Sequence, residues 1–343
     1  MQELVGKLHR QYDVAVQSGD LIFTDSTVKG ITQGELEYEV RFAPALAKKP
    51  TAAKPAQSKQ DKPADPFAAP YVPALHVDEV TVKAELEDGE SDEQSFVVLL
   101  NKFCVQPRHF LLVTKEFVSQ RLPLSPLEIY TTVKILHTLA NPAATIQAEP
   151  HLAFFNCGEL SGASQPHKHI QFIALPSGKT PFDKIIRDAK PKDASAKLDA
   201  QDRKLSAFTV SVLPFAHYIT PIEFDPDDSV ANTAGGLLAR YLLLLDLAAE
   251  NISQLQQQDD VDKSKLPSSA SRMSYNLVVT LDYLMLVPRS QEKFESGASE
   301  AVPLNSLAFA GMPLVKSQEQ LDTFAGGDIA KALASVCFPV ARG

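Results

Sequence analysis

The period of the apolar residues changes several times along this chain, and each change delimits an element. Gln2 to about Ser18 reads as a helix, and Leu21-Ile22-Phe23-Thr24 and Glu37-Tyr38-Glu39-Val40-Arg41-Phe42 read as strands. Residues 47–75, rich in Pro, Ala and Lys, offer little to bury and predict a long mobile surface loop. Ser95–Leu100 and His109–Thr114 are apolar runs separated by Gln106-Pro107-Arg108, the pattern of an antiparallel hairpin. Ser125-Pro126-Leu127-Glu128 opens a helix with a Ser N-cap, Pro at the first position and Glu at the third. Its apolar stripe is Ile129, Val133, Leu136 and Ala140, and Asn141-Pro142 ends it.

Strands near 152–157 and 167–175 come next, followed by a charged, Ala-rich linker or exposed excursion at 187–205. Phe208 to Phe215 reads as another strand. Gly235-Gly236 then opens an apolar helix through about Glu250, and Gln256 to about Ser271 is a polar loop. Asn276–Thr280 and Leu284–Val287 predict a last hairpin. Helices appended to antiparallel strands make the fold class α+β rather than doubly wound.

Composition narrows the possible functions. The chain has 343 residues, 44% of them hydrophobic, enough for one large or two modest domains without covalent staples. No apolar run approaches the length of a membrane span, and Met1-Gln2-Glu3-Leu4-Val5 lacks the charged-then-apolar pattern of a signal peptide. Cys104, Cys157 and Cys337 are odd in number and widely spaced. That favours a reducing compartment, here the cytoplasm with nuclear access left open, and argues against a structural zinc site. A net charge of −9 argues against general nucleic-acid binding, so a polyanionic small ligand would need a local pocket of donors.

The densest chemistry lies in Ser161-Gly162-Ala163-Ser164-Gln165-Pro166-His167-Lys168-His169-Ile170-Gln171. A strand's period of two puts His167, His169 and Gln171 on one face and Lys168, Ile170 and Phe172 on the other. The small-residue loop before them can bring backbone N–H groups and hydroxyls close to an anion. Imidazole is a good nucleophile at neutral pH without a separate base, so the set suits phosphoryl or nucleotidyl transfer through a nucleotidyl-histidine. The bland alternative for H-x-H-x-Q alone is a strand whose histidines merely pack or face solvent.

With Asn156-Cys157-Gly158 before it, this stretch resembles the fungal diadenosine tetraphosphate phosphorylases (ATP adenylyltransferases) of the histidine-triad superfamily. Further similar segments occur in the family's order. They are Arg41–Leu46 with Lys48-Lys49-Pro50, Leu100–Phe103, His109–Phe117, Ser274-Tyr275-Asn276-Leu277 and Val287-Pro288-Arg289-Ser290. The resemblance runs from about Leu21 to about Lys316. It implies a histidine-triad-like antiparallel sheet with flanking helices, elaborated by a carboxy-terminal segment packing on it. The implied division is a catalytic region 1–186, a linker 187–205 and a carboxy-terminal region 206–343 completing the nucleotide pocket.

The same resemblance implies phosphorolysis of diadenosine tetraphosphate to ATP and ADP. His169 would be the nucleophile, His167 would orient or protonate phosphate oxygens, and Gln171 would hold the transferred group. Substrate contacts would come from Lys49 in preference to Lys48, and from Asn101, Lys102, Asn156, Gly162, Ala163, Ser164 and Gln165. On the last hairpin they would come from Asn276, Thr280, Met285 and Arg289, although Leu281-Asp282-Tyr283 departs from the basic residue and tryptophan associated with that spot. His109 suits a structural role or a ligand contact equally. No protein-held metal or other bound cofactor is expected, magnesium would accompany the polyphosphate, and a monomer is expected. Three rival readings stay open: a histidine-triad hydrolase, a hexose-1-phosphate uridylyltransferase-like enzyme, and a dinucleotide sensor that consumes nothing.

Overall fold

In the computed structural model, the described residues are 2–48, 65–86, 89–142, 147–190, 197–198, 204–259, 261–267, 272–295 and 300–341. The first half contributes α1 (Gln2–Ser18), β1 (Ile22–Phe23), β2 (Thr27–Gln33), β3 (Leu36–Phe42), β4 (His76–Glu85), β5 (Ser91–Leu100), β6 (Phe103–Cys104), β7 (Phe110–Thr114) and α2 (Pro126–Ala140). After these come β8 (His151–Cys157), β9 (His169–Ala174), α3 (Asp183–Ala189), the small pair β10 (Lys197–Leu198) and β11 (Lys204–Leu205), β12 (Tyr218–Pro221) and α4 (Val230–Gln257). The chain finishes with β13 (Ser274–Val279), β14 (Tyr283–Arg289), β15 (Lys293–Phe294), β16 (Val302–Pro303), α5 (Ser306–Phe309), β17 (Leu314–Val315), α6 (Gln318–Thr323) and α7 (Ile329–Ser335).

One sheet organises the molecule. Its eight strands run in the order β12-β14-β13-β8-β9-β7-β5-β4, and every neighbouring pair is antiparallel. Strands from both sides of the 187–205 segment therefore share a single hydrogen-bonded surface. Alternation divides its side chains between two cores. Phe96, Val98, Phe110, Leu112, Ile170, Phe172, Phe155 and Leu277 pack under α1, α2 and α4. On the other face Phe154, Ile173, Val278, Met285 and Val287 are covered by β3 and the carboxy-terminal helices. Beyond that cover a small patch of Val97, Leu99, Leu111 and Val113 lies beneath Phe67 and Tyr71.

The predicted start of α2 is present in full. Ser125 Oγ accepts from Glu128 N, and Glu128 Oε2 accepts from Ser125 N at 2.6 Å. Glu128 also forms a buried ion pair with Lys168, Nζ to Oε2 at 3.0 Å, while Lys168 Nζ donates to Pro123 O. The residue between the two histidines is thus pinned to α2 from the helix side of the sheet. In α4, Leu237, Tyr241, Leu244, Ala248, Ile252 and Leu255 face the first core while Asp246, Glu250 and Gln254 are exposed. By length and composition α4 could cross a membrane, but its apolar stripe is spent on the sheet.

Several expectations need correction. α4 begins at Val230 behind the Ser229 cap, so Gly235-Gly236 lies inside the helix rather than opening it. Residues 208–215 are not a strand. Phe208 makes one bridge to Ile219, and Val210 N donates to His217 Nε2 instead of a ladder partner. The chain then turns at Val210–Leu213, before Pro214, which has no N–H to offer. β2 went unread because it is exposed along most of its length, and β4 went unread although Val80, Val82 and Ala84 alternate with Thr81, Lys83 and Glu85. Of the predicted mobile loop 47–75, residues 49–64 lie outside the described residues. Residues 65–75 form ordered structure over the sheet, with Leu75 buried.

Removing one partner of a buried ion pair leaves an uncompensated charge. Glu128→Ala is therefore expected to destabilise the fold by about 3–5 kcal/mol in urea denaturation. A loss under about 1 kcal/mol, the range of exposed pairs, would show that water reaches Lys168.

Candidate active site

The site is built where β8 and β9 begin to separate. Paired residues in the printed register end at Phe154 opposite Gln171. Continued by two residues, the same register sets Asn156 opposite His169. There the ladder is replaced by a side chain: Gln120 Oε1 accepts from His169 N at 2.8 Å, and Gln120 Nε2 donates to Asn156 O at 2.8 Å. Gln120 Nε2 also lies 3.3 Å from His169 O. The carboxamide stands in for a peptide unit and holds the two strands at a fixed spacing. Nothing in the periodicity marks Gln120, because the signal is a tertiary insertion.

His169 is buried, and its ring has one orientation. Nδ1 lies 2.9 Å from His167 O and donates to it, which leaves Nε2 unprotonated. Burial, with His167 nearby, pushes the His169 pKa down to about 4, against the partial opposition of the bond to His167 O. The ring is therefore neutral at pH 7 with Nε2 as its free lone pair. Gln171 is oriented in the same manner. His109 Nε2 donates to Gln171 Oε1 at 3.1 Å, so the amide's NH2 end is left for the cavity. His109 in turn accepts from Asn101 Nδ2 on Nδ1 at 3.1 Å, and burial lowers its pKa to about 4.

His167 behaves differently from expectation. Its Nδ1 lies 2.7 Å from Asp65 Oδ2, and its Nε2 lies 2.8 Å from Thr114 O and 3.2 Å from Glu116 O. Both nitrogens face protein oxygen, so the ring has no atom free to orient or protonate a phosphate. What it gives the site is its carbonyl, which fixes the His169 tautomer. Asp65 was hidden in a Pro/Ala/Lys-rich stretch, and only the fold brings it across 102 residues to His167.

A cavity of about 350 Å³ opens above His169 and Gln171. Asn101, Lys102, Ser164 and Gln165 supply its polar wall. Phe67, Tyr71, Leu75, Leu99 and Leu111 supply the apolar one. Phe67 lies 5.0 Å from the His169 ring, and Tyr71 stacks on His76 at 5.2 Å. The residues predicted as loop are thus the roof of the site. Beneath Ser164, the loop turns at Gly158 and Gly162, with φ of 85° and 80°. A Cβ on Gly158 would come within 2.5 Å of Ser274 Oγ, and one on Gly162 within 3.0 Å of Leu304 O. Only glycine fits either place.

The hairpin residues do not line this cavity. Thr280 Oγ1 accepts from Asp282 N and Tyr283 N and shapes the β13–β14 turn. Met285 is wholly buried in the second core. Arg289 is 1% exposed, and all five of its N–H groups are donated inside the protein, so it has none left for a phosphate. Asn276 is buried beside Asn156 and bonds to it. Gly162 and Ala163 shape the loop, and Lys49 lies outside the described residues. Cys157, next to Asn156, turns to the helix side, where burial holds its thiol up at about 12 and keeps it protonated.

Comparison with known proteins gives the family. Residues 1–188 match the family described as Ap4A phosphorylase N-terminal domain, and residues 211–339 match ATP adenylyltransferase C-terminal domain. The chain is 33% identical over 351 residues to diadenosine 5',5'''-P1,P4-tetraphosphate phosphorylase 2 of Saccharomyces cerevisiae, covering 100% of this chain and 97% of that one. It is 28% identical over 324 residues to Protein APA1 of the same yeast, covering 92% and 88%. The crystal structure of yeast Ap4A phosphorylase Apa2 in complex with Ap4A superposes with a TM-score of 0.73 at 28% identity, covering 99% of this chain and 98% of that one.

His109, His169 and His217 are all held near 4 by burial, below the ordinary 6.5. The unfolded chain takes up protons near 6.5 that the folded chain refuses until about 4. Stability from these groups is complete above pH 6.5 and is lost as pH falls toward 4. The unfolding free energy from urea denaturation is expected to fall below pH 6.5, toward about 1.4 kcal/mol per pH unit for each histidine that stays neutral in the folded chain. A flat profile would mean that these rings are solvated.

Proposed function

The chain belongs to the Ap4A phosphorylases, nucleotidyl-transferring enzymes of the ATP adenylyltransferase type, and from that premise we propose a two-step course through His169. His169 Nε2 attacks the α-phosphorus of diadenosine tetraphosphate. The P–O bond to the bridging oxygen breaks, ATP leaves with that electron pair, and an adenylyl group stays on Nε2. The ring becomes cationic as the N–P bond forms, and His167 O, already accepting from Nδ1, stabilises that charge. An oxygen of inorganic phosphate then attacks the same phosphorus, the P–N bond breaks, and ADP leaves.

The observation that carries this reading is the fixed pair of His169 with Nε2 free and Gln171 with its NH2 end toward the cavity. Neutral donors aimed at a developing charge lower the barrier without needing to reorganise. Gln171 binds a non-bridging oxygen of the transferred group. Asn156, Ser164, Gln165 and the loop backbone at Gly162 and Ala163 hold the phosphates, with Lys102 and Lys49 adding charge. Asn101 reaches the ribose, and the base lies between Phe67, Tyr71 and the aliphatic floor. Magnesium enters as part of the polyphosphate substrate.

Product analysis tests the reading. With diadenosine tetraphosphate, ATP plus ADP formed only when phosphate is present is the expected result. ATP plus AMP without phosphate would make the protein a hydrolase, and no consumption under either condition would make it a sensor. His169→Ala is expected to lower turnover by at least about a thousandfold while nucleotide binding stays within a few-fold. Intact mass under rapid quench should show one adenylyl group on wild-type protein and none on the variant.

A further inference from the structure

Arg289 is the largest fully buried side chain among the described residues, and none of its hydrogen bonds goes to a carboxylate. It donates from Nε to Val336 O, from Nη1 to Leu304 O and Asn276 Oδ1, and from Nη2 to Gln291 O and Glu292 O. Phe309 lies against its guanidinium plane at 5.1 Å. Burying a charge costs stability unless its donors are satisfied. Four of the five acceptors here are backbone carbonyls, which could not be placed otherwise. The fifth is a side-chain amide, and its polarity is imposed by the arginine.

That polarity propagates. With Oδ1 turned to Arg289, Asn276 must present Nδ2 elsewhere, and it donates to Asn156 Oδ1 at 2.8 Å and to Ser161 O at 2.9 Å. Asn156 Oδ1 also accepts from Ser306 N at 3.1 Å and Ser306 Oγ at 2.7 Å. Three donors on one oxygen leave Asn156 a single amide orientation. Its Nδ2 is buried with no partner in the protein, and Asn156 is only 1% exposed. Oδ1 is used up by Asn276 and Ser306, and by register Asn156 stands opposite His169 on β9. An orphaned donor this deep needs an acceptor.

We propose that Arg289 and Asn276 are positioning residues that lock the amide polarity of Asn156, so that Asn156 Nδ2 donates to a phosphoryl oxygen of the group transferred to His169. This rests on the reading that an adenylyl group binds beside His169. Arg289 then serves phosphate binding without touching phosphate, through two amides that each have one allowed orientation. The same relay holds Ser161 O, and with it the start of the loop that carries Ser164 and Gln165 into the cavity.

Asn276→Asp isolates the effect, because the substitution keeps size and gives Arg289 a carboxylate. The oxygen that replaces Nδ2 meets Asn156 Oδ1 and Ser161 O, a repulsion that works against the orientation Ser306 N and Oγ hold and displaces Asn156 Nδ2 from the bound phosphate. Calorimetric binding of AMP and of adenosine is measured on the full chain, wild type and variant. Wild-type protein should bind AMP more tightly than adenosine; absence of that preference overturns the adenylyl-site reading and the proposal with it. The variant should bind AMP at least about tenfold more weakly, with adenosine within about twofold, since one misdirected buried donor is a phosphate-specific loss. Equal losses for both ligands, or no loss, would overturn the relay alone. Should the variant fail to fold, side-chain amide NMR of wild-type protein labelled with 15N at asparagine gives the same answer. The signal identified by its loss in Asn156→Asp should shift with AMP and not with adenosine, and an unmoved signal refutes the proposal.

Discussion

The site depends on one hydrogen bond, from His169 Nδ1 to the carbonyl two residues earlier. It decides which nitrogen is the lone pair, and so whether the strand presents a nucleophile or a donor. A bond between residues 167 and 169 is local, but it is kept only if both ends are held. Lys168, between them, is drawn to the opposite side by Glu128 and Pro123. Gln120 fixes the His169 backbone, and Asp65 with Thr114 fixes the His167 ring. Three separate segments therefore stabilise a single tautomer.

A common design runs through the polar groups around the cavity. Gln171 and Asn156 each have the amide oxygen consumed inside the protein, and the described residues give neither NH2 group a partner. Gln171 is turned by His109, and Asn156 is turned by Asn276 and Ser306. Orientation set in this way needs little positive charge, which fits a chain with a net charge of −9. Fixed neutral dipoles in a desolvated site hold an anion without the self-repulsion of clustered lysines. Burial acts on His169 as well, because the cost of charging it keeps its ring neutral at pH 7.

The two faces of the sheet divide the labour. Toward α1, α2 and α4 the packing is apolar and supplies the main core. On the other face the carboxy-terminal segments cover β8, β13 and β14, and the 65–75 segment covers β5 and β7. The cavity lies under the 65–75 cover, between strands β5, β7 and β9 and the loop that carries Ser164 and Gln165. Residues on the β13–β14 hairpin thus support the site from under the cover rather than lining it, which is why Thr280, Met285 and Arg289 lie away from the cavity.

Sequence alone determined what repeats at short range. The period of two set which of residues 169–172 faces the cavity, and Ser125-Pro126-Leu127-Glu128 set where α2 begins. Both are local, because a strand's pleat and a helix cap involve neighbours in the chain. The hairpins 95–114 and 276–287 were legible for the same reason. Tertiary structure alone decided the roles of Gln120, Asp65 and Phe67, since none sits in a periodic pattern and each acts on a residue tens of positions away. It also moved Arg289 from a ligand contact to the interior, because a buried guanidinium goes wherever five acceptors converge. Sequence spacing carries no information about where five carbonyl and amide oxygens from separate segments will meet.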